Sequence, residues 1–155
     1  MIVDRDKFIF VHIPKCAGTS IERFFLSHYG VINDWGRRFP LEALPIEAKA
    51  EFCIGFQRKQ HMSLNDFPLA AQEEYFSFAF VRNPWDRIMS AYLYAERLGF
   101  KSTFKSFLKS NTFNDHRKTQ SSFLNKNIDF IGRFENLQED FNLICQKLGF
   151  ESKKL

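Results

Sequence analysis

Residues 8–20 read Phe8-Ile9-Phe10-Val11-His12-Ile13-Pro14-Lys15-Cys16-Ala17-Gly18-Thr19-Ser20. The nearly continuous apolar run from Phe8 to Ile13, closed by Pro14, predicts a strand covered on both faces, as in a parallel sheet. Beyond it, Ile21, Phe24, Phe25 and His28 recur at i, i+3, i+4 and i+7, so the chain passes from strand through a tight loop into a helix. Gly18 lets the backbone approach a ligand closely. A helix beginning near Thr19 offers unpaired N–H groups and a favourable dipole. Thr19 and Ser20 add hydroxyls, and Lys15 adds a full positive charge. Such a loop cradles an anion of two or more acidic groups. The plain alternative is a strand–turn–helix connection with a capping threonine and a solvated lysine. The lysine precedes the glycine and the upstream glycine is missing, so GxxxxGK[ST] does not fit.

Two further strands bear on the same reading. Tyr75 to Val81 is closed by Arg82-Asn83-Pro84, and Ile128 to Phe134 forms the third. Asn83 suits an N-cap and Pro84 the first helical position, and Ile88, Ala91, Tyr92 and Ala95 then share one helix face. After the third strand, Leu137, Phe141, Ile144, Cys145 and Leu148 form a stripe, with Gly149 a natural stop. Strand–helix alternation predicts an α/β fold with a mostly parallel sheet, whose ligands sit beyond the carboxyl ends of the strands. At one such end stands Arg82, a fork donor suited to a terminal phosphate. Ser90 lies roughly 9 Å along the following helix, so one ligand meets both only by running beside its first turns. Taken alone, Arg82 reads equally as a surface ion-pair partner and Ser90 as a solvated hydroxyl. Leu41 to Ala50 suggests a short helix, Phe52 to Phe56 a short strand, and residues 102–110 a helix.

The 155 residues allow one domain, 1–155, with little room for a second. Hydrophobic residues at 45% and charged residues at 26% argue against disorder, and 20 Phe, 4 Tyr and 2 Trp predict a core of rings. The net charge of +4 suits an anionic ligand. Basic residues are scattered without aromatic interleaving, so nucleic acid is not the expected partner. Three widely spaced cysteines, Cys16, Cys53 and Cys145, form no CxxC pair, which predicts neither a disulfide framework nor a zinc site. No apolar run approaches the roughly 18 residues of a membrane span, and charges begin at Asp4, so no signal peptide is visible. A reduced, cytoplasmic, soluble domain is the expectation, and nothing in the sequence fixes its oligomeric state.

These segments resemble a known family. FVHIPKCAGTSIE (residues 10–22) resembles the 5′-phosphosulfate loop of sulfotransferases that use 3′-phosphoadenosine 5′-phosphosulfate. FVRNPWDRIMSAY (residues 80–92) resembles their 3′-phosphate site. IDFIGRFENLQEDF (residues 128–141) is similar to the third signature of the branch related to carbohydrate and heparan sulfate 2-O sulfotransferases. The resemblance implies a P-loop-like, three-layer fold with helices flanking the sheet, and no metal. It places Lys15, Cys16, Ala17, Gly18, Thr19 and Ser20 around the 5′-phosphosulfate, and Arg82 and Ser90 on the 3′-phosphate. Lys15 would also steady the charge that builds as the sulfuryl group leaves. Family members usually continue into a Leu-Pro-His-x-Asn segment and a helical tail, whereas this sequence ends at Lys153-Lys154-Leu155, so that tail is expected to be missing.

A hydroxyl acceptor needs a base. In the 2-O branch a histidine at a place comparable to His61 serves, and a neutral imidazole suits proton abstraction near pH 7. His116 is the rival, in a stretch resembling a family segment near cofactor or acceptor in which Gln120 matches best. His12 reads as structural, orienting the loop, and His28 as packing or surface. Cys16 lies near a helix start that would lower its thiol pKa, though a small residue filling the loop is the simpler reading. Glu135 reads as an anchor, and Asp86 and Arg87 as local ion pairs. A nucleoside or small-molecule kinase would instead need Mg²⁺ and an acidic strand end. A non-catalytic binding module would hold nucleotide or polyanion without turnover.

Overall fold

The computed structural model describes residues 1–29, 61–111 and 113–155. In chain order these form strand β1 (Ile2–Val3), β2 (Phe8–Val11), helix α1 (Gly18–His28), α2 (Leu69–Glu74), β3 (Phe76–Val81), α3 (Pro84–Arg97), α4 (Phe104–Lys109), α5 (Asn114–Arg117), β4 (Phe130–Arg133) and α6 (Leu137–Leu148). Short 3-10 turns occupy Leu64–Asp66, Gln120–Phe123 and Phe134–Asn136. The expected helix at 41–50 and strand at 52–56 lie outside the described residues.

The four strands lie in the order β1-β2-β3-β4. β2, β3 and β4 are parallel, with Phe8 opposite Phe76 and Phe78 opposite Phe130, while β1 pairs antiparallel on β2. This is an α/β fold with a mostly parallel sheet flanked by helices. Phe8 and Ile9 are both 0% exposed, so both faces of β2 are covered, as its unbroken apolar character requires. Phe10 stacks on Phe78 at 5.1 Å, Phe8 meets Phe25 of α1 at 4.7 Å, and Phe24 meets Phe141 of α6 at 4.9 Å. The phenylalanine-rich composition thus becomes the contact between sheet, α1 and α6. Ser77 and Asp129 fix the register where β3 and β4 begin: Asp129 Oδ2 accepts from Ser77 N at 2.7 Å and from Ser77 Oγ at 2.8 Å.

The structure departs from the sequence expectations at several ends. β2 stops at Val11, because the chain folds back and Ile13 N donates to Val11 O at 3.1 Å. β4 is shorter than residues 128–134, and β1 and α2 were not anticipated. Arg87 is no local ion pair. It is 5% exposed, and its guanidinium donates to Pro14 O at 3.4 Å and to Lys118 O, tying α3 to two loops. The C-terminus of α6 follows expectation, with Gly149 in the left-handed region at φ 76°. Among the described residues, no helix is long and apolar enough to cross a membrane.

Candidate functional site

Between β2 and α1 the loop turns with two non-glycine residues in the left-handed region, Lys15 at φ 66° and Ala17 at φ 65°. Such backbone costs on the order of 1 kcal/mol per residue and persists where the surroundings impose it. Ala17 is the N-cap of α1 and supplies no side-chain cap; Ser20 N donates back to Ala17 O at 2.9 Å, which leaves the amides of Gly18 and Thr19 for another acceptor. The glycine that follows is dictated by packing. A Cβ at Gly18 would lie 2.1 Å from Cδ2 and Nε2 of His12. Helix α1 therefore starts pressed against an imidazole.

β2 and β3 are parallel neighbours, so their carboxyl ends lie side by side. Arg82 Nη1 reaches to 3.5 Å from Lys15 O, at the limit of a hydrogen bond. Both residues line one cavity of about 380 Å³, together with Ala17, Gly18, Thr19, Ser20 and Ser90. Each cation rests on an aromatic face. Lys15 Nζ lies 4.1 Å from the Tyr94 ring centre, and Arg82 Cζ lies 4.1 Å from that of Phe134. The Nε of Arg82 is buried without a hydrogen-bond partner. Burial pushes the Lys15 pKa down, and the nearby charges of Arg97 and Arg82 add to the effect. An anion entering here would be met by two ready positive charges and by α1's opening amides.

Cys16 and Gln120 do not line this cavity. The Cys16 side chain turns inward at 1% exposure, its Sγ 3.4 Å from Gln120 Oε1 and 3.6 Å from Pro14 O. Burial raises its thiol pKa to about 12, the reverse of what the helix start suggested. Any contribution of Cys16 to a ligand is thus limited to its backbone. Gln120 serves as a clamp: its Oε1 accepts from Arg82 N at 2.8 Å and its Nε2 donates to Arg82 O at 2.7 Å. Glu135 Oε1 accepts from Asn83 N at 2.7 Å, and that bond heads the causes holding its carboxyl below the usual range. Asn83 in turn caps α3 by accepting from Trp85 N at 3.0 Å.

Three imidazoles share the cavity wall: His12, His61 and His116. His61 lies 5.0 Å from His12 and 5.4 Å from His116, centre to centre, with the rings edge-on. Nδ1 of His61 and Nδ1 of His116 are both buried without a partner. Burial, then the charges of His12 and His116, lower the His61 pKa to about 4. Burial and Lys15 lower that of His116. Both rings are therefore neutral at pH 7, the state a proton acceptor needs. His28 is exposed on α1 and packs edge-on against Phe150 at 4.7 Å. Among the described residues, no group of three His, Cys, Asp or Glu side chains is placed to hold a metal ion.

The histidine environment has a consequence for stability. In the unfolded chain the His61 imidazole takes its proton near pH 6.5, and in the fold only near pH 4. Between these values the unfolded state binds more protons, so stability is lost as pH falls through that window. The melting temperature is expected to drop between about pH 6.5 and pH 4, and His61→Gln to make the decline shallower. A variant whose decline matches the wild type would refute this burial-driven shift.

Tyr94 and Phe134 escaped the sequence reading, yet both have positional signals. Tyr94 is four residues past Ser90 and so shares its helix face. Phe134 directly follows β4, where the ligands of a parallel sheet gather.

A sequence model of the sulfotransferase family matches residues 1–154. The chain belongs to the sulfotransferase family. A curated relative, an uncharacterized protein of Archaeoglobus fulgidus, is 39% identical over 82 residues, covering 48% of this chain and 68% of the relative. For a sulfotransferase domain the reaction is transfer of a sulfuryl group. The cavity walled by Lys15, Arg82 and the histidines is this sulfotransferase's candidate site.

Proposed function

We propose that this domain transfers a sulfuryl group from 3′-phosphoadenosine 5′-phosphosulfate to a hydroxyl, that of a carbohydrate. The observation that carries the reading is the sharing of one cavity by Lys15 and Arg82, at the carboxyl ends of adjacent parallel strands. A donor with anionic groups at both ends of one nucleoside would engage both cations from within the one cavity. The opening amides of α1, with Thr19 and Ser20, would hold the phosphosulfate end. Arg82 and Ser90, the latter about two turns into α3, would hold the 3′-phosphate. The carbohydrate acceptor rests on the likeness of residues 128–141 to the 2-O branch and on the position of His61.

The donor supplies an activated sulfur whose bond to the 5′-phosphate oxygen breaks as the acceptor oxygen bonds to it. Lys15 neutralises the charge growing on that phosphate oxygen, and His61 accepts the hydroxyl proton. The protein contributes position and fixed charge, which suffice when the leaving group is already good. Calorimetry tests the reading. Adenosine 3′,5′-bisphosphate is expected to bind in a 1:1 ratio without Mg²⁺ and more tightly than ATP–Mg²⁺, and Arg82→Ala to weaken it. Absence of binding at millimolar bisphosphate would overturn the proposal, and ATP–Mg²⁺ binding in its place would favour a kinase. Bisphosphate binding with no transfer from labelled donor to any glycan offered would leave a binding module.

A further inference from the structure

Behind the histidine wall stands a carboxylate that the transfer itself does not use. Glu22, in the second turn of α1, is 5% exposed, and its Oε1 lies 2.8 Å from Nδ1 of His12, itself 4% exposed. A carboxylate so far from water is costly unless paired. The pairing also orients the ring: an ionised Glu22 can only accept, so it takes the Nδ1 proton, and in a neutral imidazole the lone pair then lies on Nε2. His12 lines the cavity and sits edge-on to His61 at 5.0 Å between ring centres; no hydrogen bond joins the rings as they stand, and a turn of either ring brings their nitrogens within reach. The charges of Asp115 and Glu22 do not offset the burial of His61. A proton taken there without an onward path would sit on a ring that the surroundings keep neutral.

The geometry points to Glu22 and His12 as a buried proton sink for His61, with Glu22 the positioning residue that makes Nε2 of His12 the acceptor. This rests on the sulfuryl-transfer reading above. As the acceptor oxygen bonds to sulfur, its O–H bond breaks and the proton joins one ring nitrogen of His61. The proton on that ring's other nitrogen passes to Nε2 of His12, and Glu22 balances the imidazolium formed. The proton returns to solvent after the product has left. Other charges face this chain of groups: His116 and Asp115 towards His61, and the buried Met1 amino group towards Glu22. Asp115 supports a cation at His61, whereas His116 opposes one. Of these two carboxylates, Glu22 is the one in hydrogen-bond contact with an imidazole ring.

The test is Glu22→Gln, which keeps the shape and a hydrogen bond while letting the amide donate to Nδ1 and move the ring proton to Nε2. With labelled donor and 2-O-desulfated heparin as acceptor, kcat is expected to fall about 100-fold. KM for the donor and affinity for adenosine 3′,5′-bisphosphate should change less than threefold, and Glu22→Asp should recover part of the rate. A mere prop for the loop would instead weaken nucleotide binding and leave kcat alone. Nitrogen-15 spectra of the histidines supply a reading independent of turnover. Wild type should show His12 protonated on Nδ1, and Glu22→Gln should invert it. Wild-type turnover with Glu22→Gln within twofold of it would overturn the relay and spare the function. His12 protonated on Nε2 in the wild type would overturn it whatever the acceptor. A wild type that neither binds the bisphosphate nor transfers takes down the sulfotransferase reading and the relay with it.

Discussion

Lys15→Ala is expected to lower kcat for sulfuryl transfer about 1,000-fold, the upper range for removing one preorganised donor from a site of developing charge. Lys15 sits in the left-handed turn before α1, held there by a backbone that its own side chain does not favour. Its ammonium rests against Tyr94 in a partly desolvated place, beside Arg82 and Arg97, whose like charges make an incoming anion welcome. In such surroundings a charge acts more strongly than in water, and no reorganisation is needed at the moment of transfer. The ground-state donor already carries charge here, so affinity should fall too, but by less, since the phosphate oxygen gains charge as the sulfur departs. Lys15→Arg should not restore the rate, because the guanidinium is broader and planar and would crowd Tyr94. Steady-state rates with labelled donor, set beside calorimetric affinity for adenosine 3′,5′-bisphosphate, separate the two effects. A loss confined to affinity, with kcat within tenfold, would show that Lys15 only binds.

Much of the cavity lining could be read from residues 8–20 and 80–92, because its chemistry is local. A buried strand, a proline, a lysine, a glycine and two hydroxyls in succession define a loop without knowledge of what surrounds it. Arg82 and Ser90 were singled out by the likeness of residues 80–92 to a 3′-phosphate site, with Asn83 and Pro84 marking where α3 begins. What stayed hidden depends on partners far along the chain. Arg87 looks like any surface arginine until Pro14 and Lys118 present their carbonyls to it. Gln120 resembles a ligand contact, yet both ends of its amide are consumed by the backbone of Arg82, 38 residues away. Tyr94 and Phe134 resemble core aromatics because sequence cannot say which ring faces a cation. β1 is two residues long and carries too little pattern to register against the charged turn after it. Cys16 belongs to the loop between β2 and α1, but its sulfur turns away from the cavity, towards Gln120.

Gly18→Ala is expected to abolish nucleotide binding and to destabilise the fold by about 1–3 kcal/mol. Helix propensity alone predicts the opposite sign, since alanine within a helix is favoured over glycine by about 1 kcal/mol. The clash decides it. The new Cβ would fall 2.1 Å from two atoms of the His12 ring. That ring cannot swing aside cheaply, because Glu22 holds Nδ1 and burial surrounds both side chains. Relief must then come from the backbone, by moving the start of α1 away from β2. Such a movement carries Thr19, Ser20 and the opening amides out of register with Lys15 and Arg82. Chemical denaturation reads the stability loss and calorimetry the loss of affinity. Adding His12→Ala to Gly18→Ala should make room for the methyl, so the double variant should be less destabilised than the sum of the two single changes. Additive losses would show that the first turn of α1 is held by something other than the imidazole beneath it.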